Sequence, residues 1–181
     1  MDPVPPAAAS PLDSARLLQR ALKLLASRDY AEKELRAKLQ PRAAAVEDLD
    51  GVLQRLRELG FLNESRFAER KAADAAVRRV VGRRRAEKEL EERELDPATI
   101  ARAVEVAYEG REESAMALEH LERRLSAMLS GNGLEEPGTL QRAYRKLRRA
   151  GFDHAACVVA LRAHSRLAAD LDEFAPDDEA T

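Results

Sequence analysis

Apolar positions recur along this chain at helical spacing, three or four residues apart, and capping residues divide the pattern into about nine pieces. Leu17, Leu18, Ala21, Leu22, Leu24 and Leu25 form the first stripe, which should stop near Ser27. Asp29 with Glu32 three residues later predicts an acidic capping box for a second helix carrying Ala31, Leu35 and Leu39 and ending at Pro41. A third stripe runs through Val46, Leu49, Val52, Leu53, Leu56 and Leu59 and stops at Gly60, a natural left-handed C-cap. Asn63 is placed to cap a fourth helix burying Phe67, Ala68, Ala72 and Ala75, and Gly82 is read as its break. The fifth helix runs through Ala86 and Leu90. Asp96-Pro97 reads as N-cap and first-turn proline of a sixth, with Ile100, Val104, Ala107 and Tyr108 inside and Gly110 at its end. The seventh holds Ala115, Leu118, Leu121, Leu125 and Met128, before a loop from Ser130 to Pro137. Leu140, Tyr144 and Leu147 line the eighth, ending at Gly151; Asp153 caps the ninth, with Ala156 and Val159 inside.

The pattern also repeats. Ala-Glu-Lys-Glu-Leu occurs at Ala31–Leu35 and again at Ala86–Leu90, 55 positions on. That offset aligns Val46 with Ala101, Leu49 with Val104 and Leu53 with Tyr108. An offset of 57 aligns Leu90 with Leu147, Leu95 with Phe152, Asp96 with Asp153 and Val104 with Leu161. Three copies of a three-helix unit follow, at 13–62, 63–110 and 111–168, and stacking them covers faces that one copy leaves bare. The expected fold is all-α, an elongated tandem array of three three-helix repeats. An N-terminal arm (1–12) and an acidic tail (169–181) are expected to be disordered; from Asp170 onward there are six acidic residues and no basic one.

Composition agrees with helix. Ala, Leu, Glu, Lys and Arg make up 111 of the 181 residues, against ten Val, three Thr and one Ile, so a sheet-based fold is nearly excluded. One cysteine excludes a disulfide scaffold. The longest apolar run, Ala155 to Leu161, is far short of a membrane span, and the opening residues have no signal-peptide character. A cytoplasmic monomer without membrane contact is expected.

Catalytic chemistry is hard to assemble. The eight glycines are scattered and sit at expected helix ends, so no loop cradles phosphate. His154 and Cys157 lie three apart but lack a second ligand pair, and Cys157 inside the longest apolar run reads as a small core residue. Glu119-His120 lacks the second histidine of a zinc-protease helix. No enzyme activity, cofactor or metal is expected.

Charge, by contrast, separates. The net charge is only −2, yet Arg66 to Lys88 holds nine basic residues against three acidic, and Arg142 to Arg166 seven against one. Arg78, Arg79, Arg83, Arg84, Arg85 and Lys88 form one candidate binding surface; Arg142, Arg145, Lys146, Arg148 and Arg149 form the second. Arginine's planar fork suits phosphate or carboxylate. Three arginines in the first turn of a helix oppose its dipole by a few tenths of a kcal/mol each, about the least stable place for them, which points to an anionic partner. No base-reading helix-turn-helix is evident, so contact would be to phosphates, weakly sequence-specific, or to protein. The alternative is a helical scaffold that binds protein without touching nucleic acid.

Three stretches carry a family likeness. Ala21–Leu25, then Arg28–Leu39 with its tyrosine and Glu-Lys-Glu-Leu, then Leu56–Phe67 with its Gly-Phe-Leu-Asn junction together resemble the RecX family of recombination regulators. The likeness is strongest over about residues 18 to 70, and the order of parts agrees to about Ala163. It implies three tandem three-helix repeats that bind along the RecA–single-stranded DNA filament and restrain RecA activity in homologous recombination and DNA repair. RecA and, through the filament, single-stranded DNA are the implied partners. The chain departs from the family where Val80-Val81-Gly82-Arg83-Arg84-Arg85 replaces a Lys-Gly-x-Gly-Pro stretch, where the aromatic after Phe67-Ala68 is missing, and in the Ser130–Pro137 loop.

Overall fold

The computed structural model describes residues 12–131 and 133–168. Both expected disordered segments, apart from Leu12, therefore lie outside the described residues. Among the described residues the chain is all helix and turn, with one isolated parallel bridge between Leu12 and Ala43. The helices are α1 (Ser14–Ser27), α2 (Glu32–Leu39), α3 (Val46–Glu58), α4 (Glu64–Ala73), α5 (Arg83–Glu91), α6 (Pro97–Tyr108), α7 (Glu113–Arg124), α8 (Ser126–Leu129), α9 (Pro137–Arg149) and α10 (His154–Arg162). The chain divides into two compact units, residues 1–67 with 93–95, and residues 68–92 with 96–181.

In the first unit, Leu17 and Ala21 of α1, Leu35 and Leu39 of α2, and Leu49, Val52, Leu53 and Leu56 of α3 close one core with Tyr30 and Leu62. Asp13 caps α1 by accepting from the Arg16 amide at 2.9 Å. Ala31, rather than the expected Asp29, holds the N-cap position of α2, and it has no polar side chain with which to cap the helix. Glu32 instead turns to Arg57 of α3, which donates to it from Nε (2.6 Å) and Nη2 (2.7 Å). This pairing holds the Glu32 carboxyl below its usual range despite partial burial. Gly60 takes φ +72°, and the Phe61 and Leu62 amides fold back onto the Leu56 carbonyl. The α3 stripe is narrower than expected, since Val46 and Leu59 at its ends are 60% and 46% exposed.

The second unit holds α5 through α10 and most of α4. Asn63, Asp96 and Asp153 cap α4, α6 and α10 as their spacing predicts, each accepting an amide three residues on. Leu90 occupies in α5 the buried place that Leu35 holds in α2, and Leu147 holds it in α9. Leu95 and Phe152, which precede the Asp96 and Asp153 caps, are buried alike, as are Val104 and Leu161. α10 packs chiefly on α7, and Cys157 and Leu161 of α10 and Ala117 and Leu121 of α7 are all buried.

Two helix ends differ from the expected ones. α4 does not run to Gly82: it loosens into a π-helical turn over Asp74–Arg79 and is terminated by Val80 in the left-handed region, φ +51°. A β-branched residue is strained there, and the surroundings hold it. The Val80 and Val81 amides both bond the Ala75 carbonyl, and Nδ1 of His120 reaches the Val80 carbonyl at 2.6 Å. The expected seventh helix is interrupted at Leu125, φ −120°, so that α8 is a separate short helix, and a 3₁₀ turn over Gly133–Glu135 leads into α9. Gly133 fits that turn because a Cβ would lie 2.4 Å from the Met128 carbonyl oxygen.

Candidate anion-binding surface

Gly82 is the N-cap of α5 at an ordinary φ of −68°, and its role is close approach. Its amide donates to the Ala150 carbonyl at the end of α9, at 2.8 Å. A Cβ on Gly82 would lie 2.2 Å from the Gly151 carbonyl oxygen, and one on Gly151 would lie 2.5 Å from Arg85 Cβ. The first turn of α5 and the last turn of α9 thus meet backbone to backbone, and two basic stretches some sixty residues apart in sequence border one another.

The helices present these cations differently. In α9 the buried face is Thr139, Leu140, Ala143 and Leu147. Arg142, Arg145, Lys146 and Arg149 are exposed at spacings of three and four, one stripe along the opposite face. Lys146, Arg148 and Arg149 also occupy the last turn, where positive charge suits the helix dipole. Arg148 is half-buried and donates from Nη1 to the Phe152 carbonyl at 3.1 Å, closing the turn after α9. Arg142 donates to Thr139 Oγ1 at 3.0 Å.

At α5, the N-terminus has no side-chain cap and no acid in its first turn, only Arg83, Arg84 and Arg85. The carbonyl end of α9 beside it offsets part of that unfavourable placement, an effect the local sequence does not reveal. The six cations here divide in two. Arg79 grips Glu89 with both terminal nitrogens (2.8 and 3.0 Å) and reaches Asp74 with Nε at 3.2 Å; Arg85 Nε donates to the same Glu89 at 2.8 Å. Burial pushes the Glu89 carboxyl up, but the two guanidinium bonds outweigh it and hold the group below its usual range. Glu89 correspondingly raises the Arg79 guanidinium. Arg79 and Arg85 therefore organise the surface from within. Arg78, with an 82% exposed side chain and a long 3.5 Å approach to Asp74, faces solvent together with Arg83, Arg84 and Lys88. The Arg83 guanidinium lies 5.8 Å from the Tyr108 ring centre. Below it, Tyr108 Oη donates to the Val81 carbonyl at 2.9 Å, and burial pushes this phenol up to about 12. Tyr108 and Glu89 are the supports that sequence reasoning missed; the i, i+4 spacing of Arg85 and Glu89 was the available signal.

The residues considered for chemistry have other work. Cys157 is fully buried and its thiol is pushed up to about 12 by burial, as befits a core residue. His154 Nδ1 pairs with Tyr144 Oη at 2.9 Å. Among the described residues no three His, Cys, Asp or Glu side chains converge as metal ligands, and no helix is long and apolar enough to cross a membrane. A cleft in the first unit, lined by Glu32, Lys33, Arg36, Arg57 and Glu94, has its charges matched internally through the Glu32–Arg57 and Lys33–Glu94 pairs.

No family model matches the chain. Curated relatives do. A protein named regulatory protein RecX from Herminiimonas arsenicoxydans is 30% identical over 148 residues, covering 81% of this chain and 91% of that protein. Another of that name, from Deinococcus radiodurans, is 31% identical over 164 residues, covering 91% and 72%. The chain spans about three fifths of the length of the relatives from Cronobacter sakazakii and Escherichia fergusonii, at 37% and 35% identity. The crystal structure of RecX from Lactobacillus salivarius superposes with a TM-score of 0.63 over 83% of this chain and 96% of that one; at 16% identity the likeness shows the fold. By its identity to these relatives over most of its length, the chain belongs to the RecX family of regulatory proteins.

Proposed function

We propose that this protein is a non-enzymatic regulator that binds RecA filaments on single-stranded DNA and lowers RecA activity, acting in the cytoplasm as a monomer. Repeats two and three, read as 63–110 and 111–168, carry the proposed binding surface. One observation supports this above all: the Gly82–Ala150 hydrogen bond joins the Arg83–Arg85 turn to the α9 stripe Arg142, Arg145, Lys146 and Arg149. A filament of polyphosphate and protein is an extended anionic partner, and an extended cationic face suits it. Family membership supplies the identity of the partner.

Co-sedimentation tests the reading. The chain should pellet with RecA assembled on single-stranded DNA and far less with RecA alone. A specific observation gives the protein-only scaffold its standing as a second reading: Arg79 and Arg85 are already paired with Glu89. Binding equally to RecA with and without DNA, insensitive to salt, is the outcome that favours the scaffold.

A further inference from the structure

Gly51 stands in the interior of α3, where glycine weakens a helix relative to alanine. Packing within the chain does not require it: the position is exposed, and a Cβ built there would meet nothing within 4 Å. What the missing side chain leaves open is a cleft of about 370 Å³ between α1 and α3. Ala15, Leu18 and Val52 form its apolar walls; Glu47 and Asp48 lie toward the start of α3, and Arg55 lies about two turns further on. Both helices begin at the acidic end, where Ser14 Oγ donates to the Asp48 carboxylate.

The apolar surface continues past the cleft. Leu22 and Leu25 follow Leu18 along one side of α1 at spacings of four and three, and all three are only partly buried, whereas Leu17 and Ala21 close the core. On α3, Leu59 follows Asp48, Val52 and Arg55 at the same kind of spacing and is 46% exposed. Two packed helices thus each carry an apolar row beside a floor without a side chain, the form of a groove that accepts a helix. Its charge is graded from end to end. Glu47 and Asp48 suit a cation, whereas Arg55, whose 3.2 Å pair with Glu58 is exposed and weak, suits a carboxylate. A helix favours acids in its first turn and bases in its last, so these ends match one lying antiparallel to α3.

We infer that the α1–α3 groove is a docking site for an amphipathic helix of a partner protein, acidic in its first turn, basic in its last, and packed closely over Gly51. The groove lies wholly within the first unit and shares no residue with the proposed cationic surface. The inference therefore needs neither RecA nor DNA.

A synthetic helix tests it. From Asp48 to Leu59 the rise is about 16 Å, which a peptide of about 14 residues spans. The probe is an alanine-based helix, stapled on its outer face, with leucines at i, i+3, i+7 and i+10, two Glu in its first turn and two Lys in its last. Fluorescence anisotropy with the full chain should show this peptide bound about tenfold more tightly than one whose lysines are replaced by Glu, a preference that shrinks with added salt. Gly51→Leu, which fills the floor in open space, should melt at or above the parent's temperature and bind the probe at least about tenfold more weakly. Methyl resonances of the parent give a second readout, and shifts on peptide addition should centre on Leu18, Leu22, Val52 and Leu59. Failure of the parent to bind, equal binding by Gly51→Leu, or shifts centred elsewhere would overturn the inference. A parent that self-associates while Gly51→Leu does not would overturn it in favour of a second copy of the chain.

Discussion

Gly82 and Gly151 pack so closely that a methyl group on the first would lie 2.2 Å from the carbonyl oxygen of the second. Gly151 also has φ +93°. Gly151→Ala therefore combines backbone strain with overlap on Arg85, and should cost about 2–4 kcal/mol in urea unfolding. Gly60→Ala is the control: φ is +72° with open space around it, and about 1 kcal/mol is expected from strain alone. Equal losses at the two sites would mean that the α5–α9 junction is not tight.

Leu35 in α2, Leu90 in α5 and Leu147 in α9 are all fully buried. Each change to Ala should cost about 2–5 kcal/mol by chemical denaturation, through lost transfer energy and a residual cavity. Val46→Ala, at a 60% exposed position on the same sequence stripe as Leu49, should cost less than about 0.5 kcal/mol.

His120 sets a pH dependence. Burial lowers its pKa below the ordinary 6.5, only partly opposed by its bond to the Val80 carbonyl. A carbonyl accepts, so Nδ1 carries the proton of the neutral ring. As pH falls through 6.5, the unfolded chain takes up a proton that the folded chain refuses, and stability falls until the lower folded value is reached. Thermal melts from pH 7.5 to 5 should show this loss in the parent and a smaller one in His120→Gln. A parent whose melting temperature is level across that range would contradict it.

Glu89 behaves in the opposite part of the scale. Its carboxyl is held below 4.5 by Arg79 and Arg85, so its contribution is present above that value and is lost as pH falls through the lower folded value. Glu89→Gln should lower stability at neutral pH, flatten the acid side of the stability profile and leave two cations without their shared partner. Melting curves at pH 7 and pH 3.5 check it: the difference between parent and variant should shrink at the lower pH.

What the sequence made legible was local. Asn63, Asp96 and Asp153 announce their helices because a cap acts within three residues, and Leu35, Leu90 and Leu147 show through their spacing. The departures are tertiary. Val80 adopts a conformation its side chain disfavours because Ala75 and His120 hold its backbone, and no neighbouring residue signals that. Apolar spacing runs unbroken through Leu121, Leu125 and Met128, yet the helix breaks there. Both basic stretches were visible, but their adjacency depends on a hydrogen bond between residues 82 and 150, and the division of labour between Arg79 and Arg83 depends on where Glu89 lies. The residues that meet the partner follow from this placement as expectations for experiment.

The most direct measurement is RecA ATPase on single-stranded DNA, with RecA from the same source, titrated with the parent chain and with Arg83→Glu/Arg84→Glu/Arg142→Glu/Lys146→Glu. These four positions are solvent-facing, whereas Arg85→Glu would set a carboxylate against Glu89 and blur the result. The parent should lower the rate at or below equal stoichiometry. The variant, with unchanged helical content, should need far more protein, and the salt dependence of its filament binding should flatten by about 0.7 in log–log slope for each phosphate it no longer neutralises. A parent that leaves the rate unchanged across the titration, or a variant that inhibits equally well, would contradict the reading of this surface as the site of filament binding.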